Sequence, residues 1–153
     1  MDWKTCFFIG HRDAPESIGS KLLETVERHI TDYDVSEFVV GHYGRFDSMA
    51  AAAVRTLKKT YPNIRLLLLL PYYPTSVAEQ DISGYDATFF PPGMERIPKP
   101  YAIIRANEYM IQNSAFLICY NTNTVRNTQR LVKFALTRAR KRLIQVTNIA
   151  ERC

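Results

Sequence analysis

Gly10-His11-Arg12, the run Gly41-His42-Tyr43-Gly44-Arg45-Phe46-Asp47, and the stretch Asn121 to Asn127 are three polar clusters, each placed directly after a short apolar run. Their residue types suit the binding of an anion. Glycine lets backbone approach a ligand closely, and free N–H groups at the start of a helix attract negative charge. His11, Arg12, His42 and Arg45 add side-chain donors, and an arginine grips a phosphate with two parallel bonds. Asp47 has two readings from spacing alone: a cap for a helix starting near Ser48, or an acceptor for sugar hydroxyls. Among Glu79, Asp81, Asp86 and Glu95, spacing selects no pair of carboxylates, so no catalytic residue is assigned.

Elements that could hold these clusters alternate along the chain. Thr5–Ile9, Glu37–Val40, Ile64–Leu70, Ala115–Tyr120 and Leu143–Val146 are short apolar runs that read as strands, and Ala87–Phe90 is a further candidate. Between them, Glu16–Ile30 carries Ile18, Leu22, Leu23, Val26 and Ile30 at helical spacing, with Pro15 suited to a first turn. Ser48–Tyr61, Tyr101–Asn113 and Thr124–Arg140 read as three more helices. The Ile64–Leu70 strand has one charge in seven residues, the pattern of a strand covered on both faces. Alternating strands and helices predict an α/β domain spanning 1–153: a Rossmann-like three-layer sandwich with a mainly parallel sheet of five to six strands. In such sheets ligands collect beyond the strand carboxyl ends, where all three polar clusters fall. The proline- and tyrosine-rich connection from Leu70 to Pro100 is long for a compact domain.

Composition narrows the classes. A chain of 153 residues is long enough for a core that needs no disulfide or metal. The net charge of +5 favours an anionic ligand without requiring nucleic acid. The stretch Arg138-Ala139-Arg140-Lys141-Arg142 suits the C-terminal end of a helix, where cations are stabilised by the dipole. Cys6, Cys119 and Cys153 are odd in number and not spaced as metal ligands with His11, His29 and His42, so reduced thiols, a cytoplasmic protein and no metal or cofactor are expected. The apolar part of CFFI is too short for a secretory signal, and IRLLLLLP falls far short of the roughly 20 residues of a membrane span.

Taken in order, Ile9-Gly10-His11-Arg12, Gly41-His42-Tyr43-Gly44-Arg45-Phe46-Asp47, and Asn107-Glu108-Tyr109-Met110 with Arg105 two residues before, resemble the SLOG superfamily. That superfamily holds the DNA-processing protein A and the Lonely Guy phosphoribohydrolases. The likeness is to its small bacterial branch with a TGHR-type start, and it covers nearly the whole chain. The resemblance implies a pocket for a nucleotide or nucleotide-derived ligand formed by Gly10, His11, Arg12, Gly41, His42, Tyr43, Gly44, Arg45, Asp47, Arg105, Asn107 and Asn121. It also implies a homo-oligomer. Two departures bear on this. His42 stands where the second glycine of a Gly-Gly pair is usual, and Val125-Arg126-Asn127-Thr128 replaces a late Gly-Gly-Thr turn. The phosphoribohydrolase signature Pro-Gly-Gly-x-Gly-Thr-x-x-Glu is absent, so its catalytic Glu has no counterpart. The expectation is therefore a module that senses or sequesters a nucleotide-derived small molecule. A nucleoside 5'-phosphate N-glycosidase and a single-strand DNA binder, using Tyr72, Tyr73, Tyr85 and Tyr101 as stacking faces, are the alternatives.

Overall fold

The computed structural model describes residues 2–72, 82–122 and 126–150. Six strands, β1 (Asp2–Gly10), β2 (Glu37–Val40), β3 (Arg65–Leu69), β4 (Ala87–Phe89), β5 (Ser114–Tyr120) and β6 (Gln145–Asn148), form one sheet in the order β4-β3-β2-β1-β5-β6. Every pairing is parallel. The long helices are α1 (Gly19–Tyr33), α2 (Arg45–Lys58), α3 (Lys99–Asn113) and α4 (Arg126–Arg140). This is the Rossmann-like α/β sandwich expected from the alternation.

Period-two alternation in the strands divides the core between two faces. Cys6, Phe8, Phe38, Val40, Leu66 and Ile118 meet α1 and α2 on one face. Phe7, Ile9, Val39, Leu67, Leu69, Leu117 and Cys119 meet α3 and α4 on the other. Each large side chain so buried contributes about 1.5–3 kcal/mol. Cys6 and Cys119 are buried thiols outside any disulfide, and burial pushes the Cys6 thiol far up. His29 is a core residue too. Its Nδ1–H donates to the Thr25 carbonyl at 2.8 Å, and its ring sits edge-on to Tyr33 and Phe116.

Several boundaries differ from expectation for local reasons. The first helical stretch is split: a 3-10 turn at Glu16–Ile18 follows Pro15, and α1 runs from Gly19 until Asp34 turns left-handed at φ 58°. α2 begins at Arg45 rather than Ser48, because the Ser48 N–H already closes a turn onto the Gly44 carbonyl at 3.2 Å. β6 begins two residues later than expected, because the Leu143 N–H is taken by the Arg138 carbonyl at the end of α4. In the long connection, Asp86 accepts the Leu66 N–H at 2.7 Å and pairs with Lys58, which ties the β4 edge to α2 and β3. Glu95 is exposed in a 3-10 turn at Met94–Arg96; Tyr73, Glu79 and Asp81 lie outside the described residues.

The topology fixes where a ligand can sit. From β1 the chain steps outward through β2 and β3 to β4, then returns across the sheet to β5 on the other side of β1. The direction of winding reverses between β1 and β5, whose ends lie side by side with Gly10 paired to Tyr120. Such a reversal leaves a crevice at the strand carboxyl ends.

Candidate ligand-binding site

The loop after β1, the loop after β2 and the start of α2 are packed together by missing side chains. A Cβ on Gly10 would stand 2.2 Å from the Phe46 ring, which is fully buried against Phe8 and Tyr120. A Cβ on Gly44 would stand 2.5 Å from the Arg12 Cα. Gly44 is extended (φ 164°), so space, not backbone conformation, demands glycine there. The Arg45 N–H bond to the Arg12 carbonyl at 2.9 Å joins the two loops. These glycines serve close packing of loop on loop, a use that composition cannot distinguish from close approach to a ligand.

Their packing leaves a cavity of about 260 Å³ at the ends of β1 and β2. Arg12, Tyr43 and Asp47 line it from the loops and α2; Ile103 and Asn107 from α3; Asn127, Thr128 and Leu131 from α4. Phe8, Ile9, Gly10, Gly41 and Gly44 complete its walls. Two helix N-termini thus face the same space, and α4 has no acidic residue in its first turn. Thr128 is 7% exposed and makes no side-chain hydrogen bond among the described residues.

Asp47 sits in the first turn of α2 and reaches back, its Oδ2 accepting the Tyr43 N–H at 3.0 Å. It thus caps the loop before the helix from within the helix, while also facing the cavity. Burial pushes its carboxyl up to about 6, against the Tyr43 N–H and His42, which pull it down. The Tyr43 phenol is pushed up to about 12 by burial and by nearby Tyr72 and Asp47.

Of the residues expected from sequence, Gly10, Arg12, Gly41, Tyr43, Gly44, Asp47 and Asn107 converge on the cavity. His11, His42, Arg45, Arg105 and Asn121 are not in its wall. His11 is buried, accepts the Thr122 N–H on Nε2 at 3.0 Å and packs edge-on against Tyr120, so it joins the ends of β1 and β5. Burial lowers its pKa. His42 and Arg45 are exposed. Arg105 lines a separate hollow with Glu108, Tyr109 and Phe134, since two residues along a helix point in different directions from Asn107. Asn121 is tied by its backbone to Asn148, with bonds of 3.1 and 3.0 Å.

Ile103, Thr128 and Leu131 were not among the expected ligand residues, and Asn127 was marked only as the end of a polar cluster. Ile103 lies one helical turn before Asn107, and Thr128 one before Leu131 at helical spacing, which is the signal that would have found them. Among the described residues there is no cluster of three or more metal-ligating side chains, and no helix is long and apolar enough to cross a membrane.

Fold and cavity together define an α/β protein with a small cavity of mixed polar and apolar lining at the carboxyl ends of β1 and β2 in a six-stranded parallel sheet. No protein-family profile matches the chain, and no curated protein sequence matches it.

Proposed function

We propose that this protein binds a nucleotide or nucleotide-derived small molecule at the carboxyl ends of β1 and β2, as a sensing or sequestering module of SLOG-like type. The observation that carries this reading is the meeting of Arg12, Asp47, Asn107 and Thr128 in one cavity beyond the ends of β1 and β2. A cavity of about 260 Å³ is near the lower end of ligand sites, roughly 300 Å³, which favours a mononucleotide or a fragment over a dinucleotide. Arg12 has no ion pair among the described residues and is available to an anion.

A second reading rests on Asp47 alone. A carboxyl with a pKa near 6 inside a cavity has the character of a catalytic acid or of a group that stabilises an oxocarbenium-like centre. It makes cleavage of an N-glycosidic bond the reaction to test. DNA binding has less support. The basic run Arg138 to Arg142 lies beside β6 and Tyr85 beside β4, at opposite edges of the sheet, and Tyr85 is already covered by Arg55. Self-association, implied by the resemblance, finds apolar material in Tyr101, Ile104 and Leu136, exposed on α3 and α4.

The test is to extract the protein mildly from its native host, identify co-purifying small molecules by mass spectrometry, and incubate it with a nucleotide panel. A recovered intact nucleotide supports the binding module; released free base supports the hydrolase. Oligonucleotide binding that collapses with salt, with neither of those, would replace both. Arg12→Ala and Asp47→Ala are each expected to weaken nucleotide binding at least about tenfold with an unchanged circular dichroism spectrum. Unaltered affinity in both rejects the site.

A further inference from the structure

Asp47 is the cavity group that the protein itself leaves half satisfied. Oδ2 takes the Tyr43 N–H, while the other oxygen has no hydrogen-bond partner among the described residues and is not sealed in the interior. No ion pair reaches the carboxylate among those residues. An ionised carboxylate only accepts hydrogen bonds, so its open oxygen repels a phosphate and calls for O–H or N–H donors. Arg12, in the same wall, supplies the opposite chemistry.

The segments that carry the two groups are packed together. Gly44 packs against the Arg12 backbone, and a Cβ on Gly41 would lie 3.0 Å from Asp47 Oδ2. Both groups line one space of about 260 Å³, so a small ligand whose phosphate meets Arg12 also faces Asp47. In a nucleoside 5'-phosphate the sugar is the group next to the phosphate; the base edge is one ring further off.

We propose that Asp47 reads the sugar: its carboxylate accepts the ribose hydroxyls of a ribonucleoside 5'-phosphate whose phosphate meets Arg12, so that the site selects ribonucleotides over their deoxy forms. This rests on the cavity being a nucleotide site. Removal of the hydroxyls leaves the open carboxylate oxygen covered by the ligand with no donor, which is the condition under which polar sites discriminate most strongly.

Isothermal titration calorimetry at pH 7.5 with adenosine 5'-phosphate, its 2',3'-dideoxy analogue and guanosine 5'-phosphate tests this on the wild type and on Asp47→Asn. The dideoxy analogue is expected to bind the wild type about 10- to 100-fold more weakly than adenosine 5'-phosphate, and the gap to shrink to about threefold or less in Asp47→Asn. Equal binding of both to the wild type, or a gap that persists in the variant, overturns the sugar role and leaves the nucleotide site standing. A preference for guanosine that disappears in Asp47→Asn assigns the carboxylate to the base and overturns the proposal. Failure of every nucleotide to bind overturns the proposal together with the reading beneath it. Should Asp47→Asn not fold, the wild-type comparison alone still decides.

Discussion

Gly10→Ala is expected to cost about 3 kcal/mol or more of folding stability, and Gly44→Ala about 2 kcal/mol with loss of ligand binding. The added methyl at position 10 overlaps the Phe46 ring at 2.2 Å, and that ring is fully buried, so it has nowhere to turn. At position 44 the obstacle is the Arg12 Cα at 2.5 Å, which belongs to backbone and moves only with its loop. Separating those loops stretches the 2.9 Å bond from the Arg45 N–H to the Arg12 carbonyl and displaces Arg12 from the cavity wall. Gly19→Ala is the control. Its new methyl makes ordinary contact with Met49 at 3.7 Å, at a helical position where alanine is favoured by up to about 1 kcal/mol. Urea denaturation of the three variants should therefore give two losses and no loss at position 19. Stability of Gly10→Ala equal to the wild type would mean that the β1 loop does not pack on Phe46 as described.

Asp47→Asn should raise stability and weaken ligand binding at the same time. The folded carboxyl has a pKa of about 6 against an ordinary 3.8, so between those values the folded chain holds more protons than the unfolded one. The contribution of Asp47 to stability is then complete below about pH 4 and is lost as pH rises through 6. Asparagine escapes this loss and still accepts the Tyr43 N–H through its amide oxygen. The gain should be near zero at pH 4 and on the order of 1–3 kcal/mol at pH 7.5, read as a melting-temperature difference that widens with pH. A residue that weakens the fold at neutral pH and faces a cavity is what a binding site would retain at the expense of stability. A variant less stable than the wild type at pH 7.5 would show that the carboxylate is satisfied in the fold, and would remove this argument for Asp47.

The sheet was legible because its strands are covered on both faces. Runs such as Thr5–Ile9 and Ile64–Leu70 have no other stable place than a parallel sheet between helices, and the order of elements did the rest. The site was legible only in part. Glycine and charge at the strand ends marked loops that line the cavity, yet which side chain faces it depends on helix phase. Arg105 and Asn107 are two residues apart and lie on different hollows. His11 has the type of a ligand-binding residue, but the Thr122 N–H, 111 positions away in the chain, occupies its acceptor nitrogen. The start of α2 was placed three residues late because glycine was read as loop. That shift moved Asp47 from the cap position into the first turn, where it both braces the loop and faces the cavity.

The cavity at the ends of β1 and β2 as a nucleotide site is tested most directly by following the backbone amide resonances of the labelled protein while adenosine 5'-phosphate is added. Saturable shifts centred on Arg12, Tyr43, Gly44, Asn107 and Thr128 are the predicted result. Shifts confined to Arg138–Arg142, or none at millimolar nucleotide for any base, would contradict it.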